Sequence, residues 1–202
     1  MKPKSLHHVR AAATPVSVLA AWQSLFDLGQ LQPGQRILIH GGSGGVGHFA
    51  VQLAKWKGAY VLATASTKNQ ELLRKLGPDE TIDYTSHKFE EVADKVDLVL
   101  DTIGGETQER SWRVLNEGGA LISLVQPPSE QKARRFGVRG IMCSVRPDGA
   151  QLSKIAKLID SAKLKSIIDR ILPLSEARRA HELSQNGHIR GKIVLRVKDI
   201  QL

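Results

Sequence analysis

Arg36-Ile37-Leu38-Ile39-His40-Gly41-Gly42-Ser43-Gly44-Gly45-Val46-Gly47 is the stretch on which the fold turns. A short apolar strand runs into a cluster of glycines, and a helical pattern follows from Gly45 to Lys57. Val46, Phe49, Ala50, Leu53, Ala54 and Trp56 give that helix a broad apolar face, and Gly58 stops it. Ala59 to Thr64 then reads as a second strand. Strand, turn, helix and strand in this order give the spacing G-x-G-x-x-G (Gly42, Gly44, Gly47) its structural context. Gly42 is expected to make the tight turn, Gly44 to let backbone approach a phosphate, and Gly47 to let helix pack closely on strand. The unpaired N–H groups of the helix's first turn favour an anion there. A Gly-rich turn that binds nothing is the bland alternative. A P-loop is excluded, because no Gly-Lys-Ser/Thr follows.

Outward from this unit, strands and helices keep alternating as far as Arg146. Strands are expected at Thr81–Tyr84, Asp97–Leu124 in two pieces (Asp97–Asp101 and Ala120–Leu124) and Arg139–Ser144, with helices at Lys68–Leu76 and Glu106–Leu115. That inventory predicts an α/β fold, a doubly wound parallel sheet of Rossmann type with strand order 3-2-1-4-5-6. Residues 30–146 make this dinucleotide-binding core. Residues 1–29 are a helical lead-in, with Thr14 as N-cap and Pro15 at the first helical position. Residues 147–202 supply a helix, a strand, a helix and a last strand, Lys192–Val197.

The end of the second strand selects between cofactors. A site for NAD usually places an acid about 20 residues past the glycines, to bind the ribose 2′-hydroxyl. Here Ala63-Thr64-Ala65-Ser66-Thr67-Lys68-Asn69 offers none before Glu71. Ser66 can donate a hydrogen bond, Lys68 brings positive charge and Tyr84 approaches from the third strand, so NADP(H) is preferred. Lys68 taken alone reads as an exposed lysine; the missing acid tips the balance.

The chain is soluble in character, with 41% hydrophobic and 24% charged residues, and no apolar run approaches the ~20 residues of a membrane span. Its start has no secretory h-region. Cys143 is the only cysteine, which excludes an internal disulfide and a Cys-rich zinc site and fits a reducing, cytoplasmic setting. The net charge of +9 reads as a solvated basic surface that attracts an anionic cofactor. Nucleic-acid binding through Lys132, Arg134, Arg135, Arg139 and Arg146 is the less favoured alternative, since no interleaved aromatics accompany them. His40 is either a cofactor contact or a hydrogen-bonded structural residue. His7, His8 and His48 have no partners at metal-ligand spacing, and no metal is expected. Cys143 reads as a buried strand residue, His181 as packing or capping, and Asp101 either faces the crevice or binds the loop backbone.

Several stretches together resemble the medium-chain dehydrogenase/reductase superfamily, and within it the zinc-independent quinone oxidoreductase branch. They are Ala11-Ala12-Ala13-Thr14-Pro15, the Ile39–Gly47 turn with Ala50–Lys55, Ile82-Asp83-Tyr84, Asp97–Asp101, Val145–Gly149 and Gly191-Lys192-Ile193-Val194-Leu195. The resemblance implies hydride transfer from NADPH to a small-molecule acceptor, a quinone or an α,β-unsaturated carbonyl. It implies that Ser43, Gly44, Gly45 and Val46 hold the pyrophosphate, and Ser66, Lys68 and Tyr84 the 2′-phosphate end. Leu124, Val125 and Gln126, with Met142, Cys143 and Ser144, would border the nicotinamide, and Lys192 would pack near the cofactor. No catalytic residue can be named. The family begins with a GroES-like catalytic domain and this chain starts after the corresponding point, so a cofactor-binding portion is expected. A non-catalytic NADPH-binding module is the alternative. Relatives commonly pair through the sixth strand, which makes Gly137–Ser144 the candidate edge of a homodimer.

Overall fold

The structure, a computed structural model, describes residues 2–187 and 189–198. A short helix α1 (His8–Ala12) leads into α2 (Pro15–Trp22), which continues as a wider π-helical stretch over Gln23–Leu28. Thr14 does not cap α2 as expected: its hydroxyl donates backwards to the Arg10 carbonyl at 2.8 Å, and its backbone is already helical. The sheet unit follows as β1 (Arg36–Ile39), α3 (Gly47–Lys57), β2 (Tyr60–Ala65), α4 (Gln70–Lys75), β3 (Glu80–Asp83), α5 (Phe89–Val92) and β4 (Val96–Asp101). It continues through α6 (Gly105–Ser111), β5 (Leu115–Ser123), α7 (Glu130–Phe136) and β6 (Arg139–Met142). Then come α8 (Gly149–Asp160), β7 (Ile168–Pro173), α9 (Ala177–Gln185) and β8 (Lys192–Arg196).

All five strand pairings of this sheet are parallel, and the strand order is β3-β2-β1-β4-β5-β6, as the alternation predicts. Side-chain alternation explains why these strands read as unbroken apolar runs. Ile37, Ile39, Val61, Ala63, Leu98, Leu100 and Ile122 enter one core, together with α2, α3 and α8. Leu38, Leu62, Val99 and Leu121 enter a second core on the opposite face, with Phe89 and Trp112. Both faces are covered, so polar alternation has nowhere to appear.

One boundary differs from expectation. β5 begins at Leu115 rather than Ala120, and its pairing with β4 shifts register between Val96 and Leu98. The cause is Asp97, whose carboxylate accepts the Arg36 amide at 2.8 Å and the Asn116 carboxamide at 2.9 Å. It gathers the starts of β1, β4 and β5, and the chain passes through Gly118 at φ +77° before regular pairing resumes.

β7 and β8 form a separate two-stranded parallel sheet. Several hydrogen bonds tie it to the main sheet unit. The Gln52 carboxamide makes a two-way bond with the Lys165 backbone (3.0 and 2.8 Å), and the Gly191 amide donates to the Ser43 carbonyl at 2.9 Å. Among the described residues no helix is long and apolar enough to cross a membrane.

A candidate dinucleotide cleft

Reversal of strand order beside β1 opens a crevice at the carboxyl ends of β1 and β4. The glycine turn lies in it. Gly41, at φ +66°, is the residue that turns the chain, so the tight-turn role expected of Gly42 belongs one position earlier. Gly42 has no side chain for a packing reason: a Cβ there would lie 2.8 Å from Leu73 Cδ1 and 2.9 Å from Ala63 Cβ. Gly47 packs as expected, since a Cβ on it would strike the Gly41 carbonyl. A Cβ on Gly44 would meet only the Gly41 oxygen, at 3.2 Å, so its open side faces the crevice. The turn is braced by Gly42 N–H to Thr64 O (2.8 Å), Gly44 N–H to Gly41 O (2.9 Å) and the Thr102 hydroxyl to His40 O (2.8 Å).

Above the turn lies a cleft of about 820 Å³. Ser43, Gly44, Gly45 and Val46 form its floor, Ser66 and Tyr84 one end, Leu124 and Val125 the other, and Lys192 crosses it from β8. These nine of the sixteen expected residues are brought together, while Gly42 and Gly47 support the floor from beneath. Five others do not reach the wall. Lys68 is exposed and offers only its carbonyl, to Arg190. The Gln126 side chain turns away to Gly105 N–H and Gln108, at 3.1 Å each. Cys143 is buried in the main core, because it alternates inward beyond the end of β6. That alternation leaves its neighbours Met142 and Ser144 exposed and off the cleft.

The sequence reading missed Asn69, Thr102 and Ile103 on the near wall, and His181, Ser184 and Ile189 on the far one. Ile103, directly after β4 and 56% exposed, carried a signal: an apolar residue left bare beside a polar turn. The far wall carried none, because it arrives from more than 100 residues downstream.

Electrostatics favour an anionic occupant. Among the described residues no acid lines the cleft, and Lys192 Nζ would lie 3.6 Å from a Cβ on Gly45. The amides of Gly45 and Val46 donate to no acceptor among the described residues. Ser66, 6% exposed, has a buried hydroxyl with no partner. Unpaired buried donors cost free energy unless something binds them. A dinucleotide supplies what they lack, with diphosphate over the floor amides and ribose or phosphate oxygen at Ser66.

The remaining polar groups are structural. Asp101 is fully buried and accepts from Ile103 N–H (2.9 Å), Gly104 N–H (2.8 Å), Gln108 Nε2 (2.9 Å) and the Ser123 hydroxyl (2.9 Å). It thereby binds the loop backbone that carries Thr102 and Ile103. His40 is buried against Phe89 and shares a 2.9 Å hydrogen bond with Ser111, which makes it structural. His48 bonds the Gly44 carbonyl through Nδ1 at 2.8 Å. Burial pushes His40 down to about 4 and His48 down to about 4, against ~6.5 in an unfolded chain. Folding therefore disfavours their protonation. Stability is unaffected above pH 6.5 and falls as pH drops from there towards 4, because only the unfolded chain takes up the protons. We expect each histidine to remove about 2 kcal/mol by pH 5. Urea unfolding at pH 7 and pH 5 measures this, and equal stabilities would contradict it.

Among the described residues no three His, Cys, Asp or Glu side chains gather where a metal ion could sit.

Comparison with known proteins agrees with this architecture. The family model described as "Zinc-binding dehydrogenase" matches residues 76–195. A mitochondrial NAD(P)H oxidoreductase of Danio rerio is 32% identical over 99% of this chain and 60% of its own length. The 2-methylene-furan-3-one reductase of Solanum lycopersicum is 37% identical over 96% of this chain and 48% of its own. The quinone oxidoreductase of Coxiella burnetii superposes with a TM-score of 0.91 at 36% identity, covering 98% of this chain and 63% of that one. The chain thus spans about half to two thirds of the length of these relatives.

Proposed function

This chain belongs to the zinc-binding dehydrogenase family, within the medium-chain dehydrogenase/reductase superfamily, and from that premise we propose that it is the cofactor-holding part of an NADPH-dependent reductase. The acceptor is a quinone or an α,β-unsaturated carbonyl, the substrate classes in the names of the Coxiella and tomato relatives. The observation that carries the reading is the buried, unpartnered Ser66 hydroxyl on a cleft wall that, among the described residues, is free of acids and lies above a glycine floor with unpaired amides. The zinc of the family's description finds no ligand set among the described residues.

When bound, the nicotinamide supplies a hydride to the acceptor. The chain's own residues bind and orient. The floor amides and Lys192 receive the diphosphate, and Ser66 and Tyr84 receive the adenosine end. Ile103, Leu124 and Val125 form an apolar flank that keeps water from the reacting end. Asp101 holds that flank in place through the Ile103 and Gly104 amides. Protein nucleophiles play no part, which agrees with the polar groups here being positioned and internally bonded. The open edge at β6 supports pairing of two copies through that strand. The lone buried Cys143 suits a reducing compartment such as the cytoplasm.

Fluorescence titration should show NADPH binding tighter than NADH. Ser66→Ala should weaken NADPH roughly tenfold, the loss of one charge-assisted hydrogen bond. Equal affinities for both dinucleotides would remove the NADPH assignment. Quinone and enone reduction are to be assayed with the protein in its full-length context. Binding without turnover on either acceptor would leave a nicotinamide-binding module in place of a reductase.

A further inference from the structure

His48 stands in the first turn of α3, where its ring is fully buried and packs on Phe49 at 3.9 Å between ring centroids. Its Nδ1 lies 2.8 Å from the Gly44 carbonyl oxygen, and the same oxygen accepts the His48 amide at 3.2 Å. One turn further along α3, Gln52 Nε2 donates to the His48 carbonyl at 2.6 Å and to the Lys165 carbonyl at 3.0 Å. Gly44, His48 and Gln52 therefore form one row along the helix, running from the cleft floor to the segment before β7.

A carbonyl oxygen can only accept, so the bond to Gly44 places a proton on Nδ1. Burial keeps the ring neutral against the opposing pull of that bond, and the positive charge of Lys192 acts in the same direction as burial. A neutral ring holds one proton, which leaves Nε2 bare. That nitrogen is buried and has no hydrogen-bond partner among the described residues. The ring is thus held in one tautomer, with its single donor aimed at the floor. The Gly44–Gly45 peptide is trans and planar, so the Gly45 N–H points opposite to the Gly44 C=O. With the carbonyl turned towards α3, the amide turns to the cleft, where it donates to no acceptor among the described residues. Two glycines flank this peptide, and neither has a Cβ to resist rotation of its plane. Rotated, the peptide would present a carbonyl oxygen to an anion in place of an amide.

We propose that His48 is a positioning residue for the diphosphate: its Nδ1–H locks the Gly44–Gly45 peptide with the Gly45 amide facing the cleft. This rests on the reading of the cleft as a dinucleotide site. His48 is not among the residues that line the cleft, so it acts through that peptide rather than by contact. The glycines give a phosphate room to approach the backbone, and His48 supplies the rigidity that they lack. An apolar side chain of similar size would fill the space of the ring and leave the Gly44 carbonyl on its 3.2 Å main-chain bond alone.

Two measurements on the full-length protein test this. Side-chain nitrogen NMR of the wild type should show His48 protonated at Nδ1 and bare at Nε2, and the opposite tautomer would overturn the proposal. Affinities for NADPH, ADP-ribose and adenosine 2′-monophosphate are then compared in wild type, His48→Leu and His48→Asn. His48→Leu should weaken NADPH and ADP-ribose alike, roughly 3- to 10-fold, the worth of one hydrogen bond. Adenosine 2′-monophosphate has no diphosphate and should stay within about twofold. His48→Asn should restore most of the loss, because its side-chain amide carries a donor close to the position of Nδ1. Unchanged NADPH affinity in His48→Leu would overturn the proposal and leave the cleft reading standing. Equal loss of all three ligands would also overturn it, by making His48 a residue of the fold alone. A wild type that binds neither NADPH nor ADP-ribose would remove the cleft reading itself.

Discussion

Asp101→Ala is expected to lower the unfolding free energy by about 3–5 kcal/mol. The carboxylate is fully buried and is the shared acceptor of four donors from three places in the chain. Removing it leaves the Ile103 and Gly104 amides, the Gln108 carboxamide and the Ser123 hydroxyl to find acceptors where water has no access. Each buried donor left unpaired costs on the order of 1–3 kcal/mol, with partial relaxation keeping the total below the sum. Asp101→Asn should cost less. Its oxygen can still accept both loop amides, while its new NH2 faces Gln108 Nε2, itself a donor. Urea unfolding followed by circular dichroism gives the comparison, and a loss below about 1 kcal/mol for Asp101→Ala would show that the network is dispensable.

Gly47→Ala should abolish detectable NADPH binding and destabilise the fold by about 1–3 kcal/mol or more. Its Cβ would strike the Gly41 carbonyl oxygen, and Gly41 C and Gly42 Cα would each lie 2.8 Å away. All of these are backbone atoms, so no rotamer change relieves the clash. Either the turn is pushed towards the cleft or α3 moves off β1. Gly44→Ala provides the contrast. Its Cβ meets only one oxygen, at 3.2 Å, so stability should hold while the methyl group occupies space intended for phosphate. Thermal melts and NADPH titrations of the two variants separate the effects. Normal binding by Gly47→Ala would refute the packing role, and normal binding by Gly44→Ala would refute phosphate approach at that position.

The strands and their order were legible because each core strand is apolar on both faces and each crossover helix carries its own stripe. Ile37 and Leu38 enter opposite cores, yet a sequence records them only as adjacent apolar residues, and that suffices for a doubly covered strand. Details resting on single dihedrals or single side-chain bonds were less legible. Gly41 rather than Gly42 takes the left-handed conformation. Thr14 bonds backwards rather than forwards. Asp97 starts β5 five residues ahead of its regular ladder by drawing Asn116 to β4.

The same division runs through the candidate site. Its floor was readable because turn, helix start and strand end are consecutive in the chain, and local geometry decides which groups they expose. By itself the sequence determined an α/β unit with a glycine-rich turn at the end of its first strand and no acid at the end of its second. Only the tertiary structure decided which side chains complete the cleft. Lys68, Gln126, Met142, Cys143 and Ser144 lie close along the chain to cleft residues but point elsewhere. His181 and Ile189 lie far along the chain and arrive at it. The physical reason is that periodicity encodes which face of an element is buried, whereas the approach of a distant segment depends on long-range contacts. Here those contacts are the Gln52–Lys165 and Ser43–Gly191 bonds, which no local pattern contains.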